Sequence, residues 1–283
     1  MPSLTLLGQS LISGVMLGGL YALVALGLSL SWGLLRLVNL GHFALAFLGA
    51  YLVYHLGTVW HVDPWWAVLI IVPVFFVFGM LQHWVFVVFR VTELTSLLVT
   101  FGISVIVESI LQWIWTADFR RYETHYAGVS LKVGPFYVPW LELVALIVAV
   151  GLAWASWAWL RWTYVGKALR ATAEDADIAA AFGINHRLLS FLLSGVCAAY
   201  AAVAGAFIAL VSTLAPSQIW AWLGVVFAVV IIGRLGNPVG ALLAGILIGA
   251  AESLAMAVIS PAWAPVVSFT ILIVLLLWQP KWL

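Results

Sequence analysis

Long apolar runs, separated by short polar segments, extend along nearly the whole sequence and limit the folds that it can adopt. Hydrophobic residues make up 66% of the 283 residues and charged residues only 7%, whereas soluble domains contain roughly 45–50% and about 25%. A compact fold of this size still exposes about a quarter of the surface of its unfolded chain. Because 11 Lys and Arg with 10 Asp and Glu cannot solvate so much surface, we expect lipid to solvate the chain.

The same counts argue against several other classes of protein. A net charge of +1 with no basic run argues against a nucleic-acid-binding surface. The single cysteine, Cys197, permits neither an internal disulfide nor a paired-cysteine metal site. Phosphate-loop, zinc-protease and nucleophile-elbow motifs are missing, and the six histidines show no metal-ligand spacing. We therefore predict no catalytic residues, no metal and no cofactor bound by this chain.

The apolar runs predict helices, because they are long and continuous rather than short and alternating. Nine candidate spans cover 6–31, 35–56, 64–89, 94–115, 138–160, 188–212, 219–232, 241–259 and 266–278. The seventh is short, so we expect about nine spanning helices, with a range of eight to ten. The first apolar run is too long for a secretory signal, and we expect it to remain in the mature protein. The predicted fold is all-α, a polytopic transmembrane helix bundle in one domain, 1–283.

Basic residues predict the orientation of the bundle, because cytoplasmic loops retain Lys and Arg. With nine spans and an outside N-terminus, one side carries Arg36, Arg90, Arg161, Lys167, Arg170, Arg187, Arg234 and Lys281. The other side carries Arg120, Arg121 and Lys132, which share the long connection 116–137. We predict that the N-terminus lies outside and the C-terminus in the cytoplasm.

Glycines at four-residue spacing predict close contacts between helices, because they let two backbones approach within the membrane. The pairs are Gly14 and Gly18, Gly236 and Gly240, and Gly245 and Gly249. This spacing is common in apolar sequences, so it indicates a packed bundle without indicating a solute.

The one long polar segment on the predicted cytoplasmic side is 161–187. Thr172 and Asp175 fit a capping box, and Gly183 suits the left-handed conformation that ends a helix. Small side chains recur at helical spacing, at Ala173, Ala176, Ala179 and Ala180. We predict a short capped helix whose small-residue face docks on another protein. The alternatives are an ordinary solvated loop helix or a helix in the headgroups, although interfacial helices usually carry Leu or Trp.

Three stretches of the chain carry a resemblance to a known family. The run from Gly166 to Asp175, continuing through Ala179 and Ala180 to Gly183, resembles the cytoplasmic EAA-type loop of ABC importer permeases. It looks most like the permease family of branched-chain amino acid importers. The stretches 21–51 and 233–252 resemble the N-terminal signature and the Gly-rich C-terminal segment of that family.

The resemblance implies a permease subunit in a bacterial inner membrane, carrying branched-chain amino acids or a related small polar or amino-acid-like solute. It implies cytoplasmic ATPase subunits that bind ATP and Mg²⁺, a second permease that is usually a paralogue, and a periplasmic solute-binding protein. The matched residues would form the ATPase-coupling loop: Gly166, Arg170, Thr172, Glu174, Asp175, Ala176, Ala179, Ala180 and Gly183.

Polar side chains within or beside the spans are candidates for the solute path, because such groups face the bundle interior, a partner or water. Asn39 and His42 share a helix face, and a proline-interrupted polar segment precedes the seventh span. We predict that this path is bordered by Asn39, His42, Thr213, Pro216, Ser217 and Gln218. For Glu108 and Glu252 we favour hydrogen bonds between helices over a role in transport.

A stand-alone secondary transporter or channel is the alternative function. The two hypotheses differ in the segment 161–187, because a secondary carrier does not need a helix that docks on an ATPase.

Overall fold

The computed structural model describes residues 3–278, so Lys281 lies outside the described residues. Within this range the chain forms eleven α-helices, a short β-hairpin and one turn of 3-10 helix at Pro261–Trp263. The helices are α1 Leu4–Leu35, α2 Gly41–Val59, α3 Pro64–Val88, α4 Glu93–Trp115, α5 Trp140–Trp162, α6 Tyr164–Glu174, α7 Ala176–Ala181, α8 His186–Val211, α9 Gln218–Gly233, α10 Pro238–Val258 and α11 Ala264–Trp278. The antiparallel hairpin pairs β1 Ser130–Val133 with β2 Phe136–Pro139.

The predicted all-α bundle is confirmed. Between residues 3 and 278, eight helical segments are long and apolar enough to cross a membrane, and the 16-residue α9 is a shorter apolar helix. The predicted range of eight to ten therefore holds, and the seventh span is short, as expected. Helix α1 has 32 residues, or about 48 Å, so it extends beyond a hydrocarbon core of about 30 Å.

Local sequence signals set several helix starts. Asp63 caps α3 by accepting a hydrogen bond from the Trp65 N–H, and Pro64 follows at the first helical position. Thr92 forms a reciprocal capping box with Thr95 at the start of α4. Asn237 caps α10 through the Gly240 N–H. These caps satisfy backbone donors that helix geometry leaves free.

The core is built around α1, which packs against α10, α8 and α5. The first and third predicted glycine pairs meet there. A Cβ placed on Gly18 would lie 2.5 Å from the carbonyl oxygen of Gly245, and one on Gly14 would lie 2.7 Å from that of Gly249. Real Cβ atoms do not approach backbone this closely, so the two helices depend on glycine here. Gly236 lies instead in the turn before α10, at φ +73°, against Gly33.

Among residues 3–278, the helices place the two groups of basic residues at opposite ends of the bundle. One end, here called the loop end, holds α6, α7 and the turns between α1 and α2, α3 and α4, and α9 and α10. The other end, the hairpin end, holds the β-hairpin and residues 212–217. There Gln9 of α1 accepts from the Tyr137 N–H and donates to the Tyr137 carbonyl, at 2.9 and 2.8 Å. Which end faces the cytoplasm stays a prediction.

Candidate coupling segment and solute path

The coupling segment, defined as α6 and α7, is two helices rather than one. Helix α6 ends at Glu174, and Asp175 is extended at φ −152°. Its Oδ1 accepts hydrogen bonds from the N–H groups of Asp177 and Ile178, at 3.0 and 2.9 Å, so Asp175 caps α7. Gly183, at φ +82°, follows the end of α7, and its N–H donates to the Ala180 carbonyl. The predicted terminator is confirmed.

The predicted capping box is wrong. Thr172 lies inside α6, where its hydroxyl donates to the Ala168 carbonyl at 2.9 Å. Asp175 supplies the cap itself, because its short carboxylate reaches the backbone two and three residues ahead. That alternative bonding of the backbone interrupts the continuous helix that the alanine spacing indicated.

The small residues do not share one outward face. Ala179 is buried at 4% exposure and Ala173 is half-buried, whereas Ala176 and Ala180 are exposed. The bulky outward side chains of α7 and its C-terminal end are Ile178, 58% exposed, and Phe182, 82% exposed. Sequence reasoning missed this apolar pair, which we call the α7 knob. Its signal was two large apolar residues four positions apart in a polar segment.

Contacts with the bundle hold α6 firmly. A Cβ placed on Gly166 would lie 2.5 Å from Cα of Leu160, so α6 packs against the end of α5 at a distance that only glycine allows. Leu169, 2% exposed, is part of a buried cluster with Leu30 and Leu193. The last turn of α6 is held by Arg36, whose Nη2 donates to the Ala173 carbonyl at 2.9 Å. These contacts tie α6 to α1 and α5, while Arg170 and Glu174 are exposed to solvent.

The two predicted path clusters lie at opposite ends of the bundle. Asn39 and His42 lie at the loop end, where Asn39 accepts from Gln82 Nε2 at 3.4 Å. His42, 1% exposed, is 3.0 Å through Nε2 from the Val24 carbonyl. The cavity beside these side chains measures only about 10 Å³. The conformation described therefore leaves no solute-sized cavity beside Asn39 and His42.

The second predicted cluster belongs to the hairpin end. Leu214 and Arg120 exchange two backbone hydrogen bonds at 2.8 and 2.7 Å, which seats the segment against the long connection. Pro216 is buried, Gln218 is half-buried, and Thr213 and Ser217 are exposed. The structure therefore does not bring the six predicted path residues together.

A hydrogen bond between Glu108 and Trp220 joins α4 to the first turn of α9. Glu108 accepts from Trp220 Nε1 at 2.8 Å and from Gln112 Nε2 at 3.2 Å. The Trp220 ring also lies 5.2 Å from that of Phe101. Both Glu108 and Trp220 are only half-buried, so this carboxylate is near an open face of the bundle. The sequence indicated Glu108 and Gln112, but it did not indicate their partner on α9.

The comparisons with known proteins agree with this architecture. Residues 10–276 match the family described as the permease component of branched-chain amino acid transport systems. The chain belongs to this family. It is 25% identical over 301 residues to the high-affinity branched-chain amino acid transport system permease protein LivH of Salmonella typhimurium, covering 96% of this chain and 93% of the relative. LivH of Escherichia coli is 26% identical over 303 residues, with the same coverages, and BraD of Pseudomonas aeruginosa is 23% identical over 287 residues, covering 96% of this chain and 94% of the relative. No solved structure shows a significant match.

The permease is thus a multi-pass membrane subunit of an ABC importer. Its two terminal signature stretches, which are distant in sequence, pack against each other along α1 and α10. A Cβ on Gly27 of α1 would meet the His42 ring and, at 2.9 Å, the Cys197 carbonyl. Gly236 donates its N–H to the Ser29 carbonyl at 3.0 Å. The family resemblance in these stretches therefore coincides with close contacts between helices.

The permease also contains a fully buried carboxylate. Glu252 of α10, 2% exposed, accepts hydrogen bonds from Tyr21 of α1, at 2.8 Å, and from Ser268 of α11. These contacts join three helices. They are hydrogen bonds between helices, which the sequence favours for Glu252 over a role in transport. Glu108 has no cationic partner among the residues described, and its role stays a prediction.

Proposed function

We propose that this permease forms the translocation path of an ATP-driven importer for branched-chain amino acids or a related small amino-acid-like solute. Cytoplasmic ATPase subunits bind ATP and Mg²⁺, a second permease, as a paralogue, completes the path, and a periplasmic binding protein delivers the solute. The N-terminus lies outside the cell and the coupling segment lies in the cytoplasm.

The observation that carries the proposal is the arrangement of the coupling segment. Helix α6 is bound to α1 and α5, whereas α7 presents Ile178 and Phe182 to solvent. Exposed apolar area is costly in water at about 25 cal/mol per Å², so the α7 knob favours a partner that covers it. A secondary carrier has no such partner.

The residues of the coupling segment divide into two roles in this proposal. Gly166, Asp175 and Gly183 shape the backbone, while Thr172 and Ala179 face the permease itself. The outward surface around the α7 knob comprises Glu174, Ala176 and Ala180, whereas Arg170 is exposed on α6 and lines a groove with Arg161. The ATPase contact is therefore a bulky apolar pair with small and charged side chains around it, rather than an alanine face.

The α7 knob is tested by co-purification of the ATPase with the importer in mild detergent. We expect Phe182→Ala to weaken the contact by about 2 kcal/mol, as buried interface aromatics do, which is roughly thirtyfold in dissociation constant. Phe89→Ala is the matched control, because Phe89 is 74% exposed at the same end of the bundle but outside the coupling segment.

Three outcomes of this experiment distinguish an ATPase contact at the α7 knob, an ATPase contact elsewhere and a secondary transporter. Loss of the ATPase with Phe182→Ala alone supports the proposal. Equal retention by both variants would assign the ATPase contact to another surface. If the wild-type permease purifies without any ATPase and still transports in vesicles, the secondary-transporter alternative holds instead.

The solute path is tested by alanine substitution of its two clusters separately. We propose that Asn39 and His42 border the inner end of the path and that residues 213–218 border the outer end. Each cluster variant is expected to reduce ATP-dependent uptake of labelled leucine in reconstituted vesicles. Unchanged uptake after both substitutions would contradict this assignment.

The orientation is tested with reporter fusions. A reporter after Thr58 should report the outside compartment, and one after Glu174 should report the cytoplasm. The opposite pair of readings would reverse the predicted orientation.

A further inference from the structure

A basic groove at the loop end is separate from the α7 knob and from both path clusters. It lies where the end of α5, the outer side of α6 and the turn before α10 meet, and its volume is about 480 Å³. Its lining includes Trp157, Arg161, Arg170, Gly236 and Asn237. We call it the arginine groove.

Two uncompensated guanidinium groups face the arginine groove. Within residues 3–278, neither Arg161 nor Arg170 forms a hydrogen bond or an ion pair, and both are exposed. The guanidinium group of Arg161 lies over the Trp157 ring, with Cζ 5.3 Å from the ring centroid. The described lining of the groove contains both arginines and no carboxylate. The groove therefore has the charge of an anion site.

The groove lies at the depth of lipid headgroups. Arg161 is in the last turn of the spanning helix α5. On the same turns of α5, the Trp162 ring lies 6.3 Å from that of Trp154 and 5.3 Å from that of Trp157. Trp154 and Trp162 are each 60% exposed. Tryptophan prefers the interface between hydrocarbon and headgroups. A ligand in this groove would thus have its anionic group at the arginines and apolar chains along the exposed tryptophans.

From this arrangement we propose that the arginine groove binds the phosphate of an anionic phospholipid, held between Arg161 and Arg170. Arginine suits this ligand because its planar fork donates two parallel hydrogen bonds to phosphate oxygens. Basic pockets between helices at a membrane surface recognise anionic headgroups in the same way. The bound lipid links the end of α5 to α6, and through α6 it steadies the coupling segment.

The test uses the full-length permease in nanodiscs of phosphatidylcholine with or without phosphatidylglycerol. Native mass spectrometry counts retained phosphatidylglycerol, and thermal unfolding measures the stabilisation that it confers. We expect Arg161→Gln with Arg170→Gln to weaken phosphatidylglycerol binding by about tenfold per arginine. Arg90→Gln with Arg187→Gln is the matched control, since it removes the same charge from exposed positions at the same end. General surface attraction predicts roughly fivefold per residue for either pair.

Conservative variants separate the ligand contact from folding. Arg161→Lys with Arg170→Lys keeps both charges but loses the paired donors, so we expect weaker phosphatidylglycerol binding with unchanged unfolding in pure phosphatidylcholine. Equal losses in the groove and control pairs would overturn the proposal, because the attraction would then be a general surface effect.

Two further experiments test whether the anion is free phosphate or a carboxylate of the ATPase instead of a lipid phosphate. Inorganic phosphate is titrated into the detergent-solubilised permease. If phosphate stabilises the permease as much as phosphatidylglycerol does, the proposal of a bound lipid fails and the groove is a site for a free anion. If the glutamine variant loses the partner ATPase while phosphatidylglycerol binding is unchanged, the arginines bind a carboxylate of the ATPase and the lipid proposal fails.

Discussion

Helices α1 and α10 meet backbone to backbone, whereas the coupling segment touches the bundle on one side only. In the first region, glycines on both helices let the two backbones come into direct contact. In the second region, Gly166 and Leu169 are buried while Ile178 and Phe182 are exposed. The first region completes its contacts within the chain. The second leaves apolar surface uncovered, and a partner is needed to complete it.

This difference predicts that substitutions in the two regions fail in different ways. Changes at α1 and α10 should reduce the amount of folded permease. Changes in the coupling segment should leave the permease folded and alter its contact with the ATPase.

The largest expected effect is that of Gly18→Val. The new Cβ would meet the Gly245 carbonyl at 2.5 Å, and backbone cannot move aside as a flexible side chain can. We expect a loss of about 3 kcal/mol or more in unfolding free energy, measured by thermal unfolding in detergent. Gly102→Val is the control, since nothing lies within 4 Å of a Cβ at that helical glycine. Similar losses in both variants would show that the close contact with Gly245 is not the cause, because helix propensity alone favours valine over glycine.

The next largest loss in unfolding free energy is expected for Glu252→Leu. It leaves the Tyr21 and Ser268 hydroxyls without their shared acceptor, and a buried unsatisfied polar group costs about 1–3 kcal/mol. Glu252→Gln keeps an acceptor oxygen and should retain most of the stability. If the leucine variant unfolds at the wild-type temperature while uptake is lost, Glu252 acts in transport rather than in packing.

Asp175→Ala should have a smaller and local effect. Loss of the cap costs about 1 kcal/mol, and it acts on the six-residue α7 alone. We expect faster hydrogen exchange at the Asp177 and Ile178 amides and weaker ATPase binding, with unchanged global unfolding. Asp175→Asn preserves the side-chain acceptor and should behave like the wild type. A drop in global stability would contradict the independence of α7 from the core.

Thr172→Ala is expected to have the smallest effect. Its hydroxyl bonds only the Ala168 carbonyl within α6, so the change should lie within about 0.5 kcal/mol of neutral. A loss near 1 kcal/mol, with faster exchange of the α7 amides, would restore Thr172 as a helix cap.

Signals that act within a few residues predicted much of the fold. Hydropathy defined the apolar helices, and Gly183 ended α7 as expected, because both depend on local backbone conformation and solvation. The spacing of Gly14 and Gly18 indicated a close contact, although it did not indicate which helix supplies the other side. Only the folded chain pairs these glycines with Gly249 and Gly245.

The candidate site was less predictable. The alanine spacing indicated one continuous helix, yet Asp175 bonds the backbone ahead of it and divides that helix in two. The path residues were grouped by polarity, which carries no information about depth in the membrane, so His42 and Pro216 proved to lie at opposite ends. Trp220 was not connected to Glu108, because their contact spans 112 positions in sequence.

The sequence by itself determined that this permease lies in a membrane as a helix bundle, because charge is scarce and the apolar runs are long and continuous, as spanning helices require. It also located the polar segment that forms α6 and α7. Tertiary structure alone decided which side chains point outward. Burial of Ala179 exposes Ile178 and Phe182, and the approach of α5, α6 and α10 places Arg161 and Arg170 in the lining of one groove. These outcomes depend on contacts between distant segments, and no local pattern encodes them.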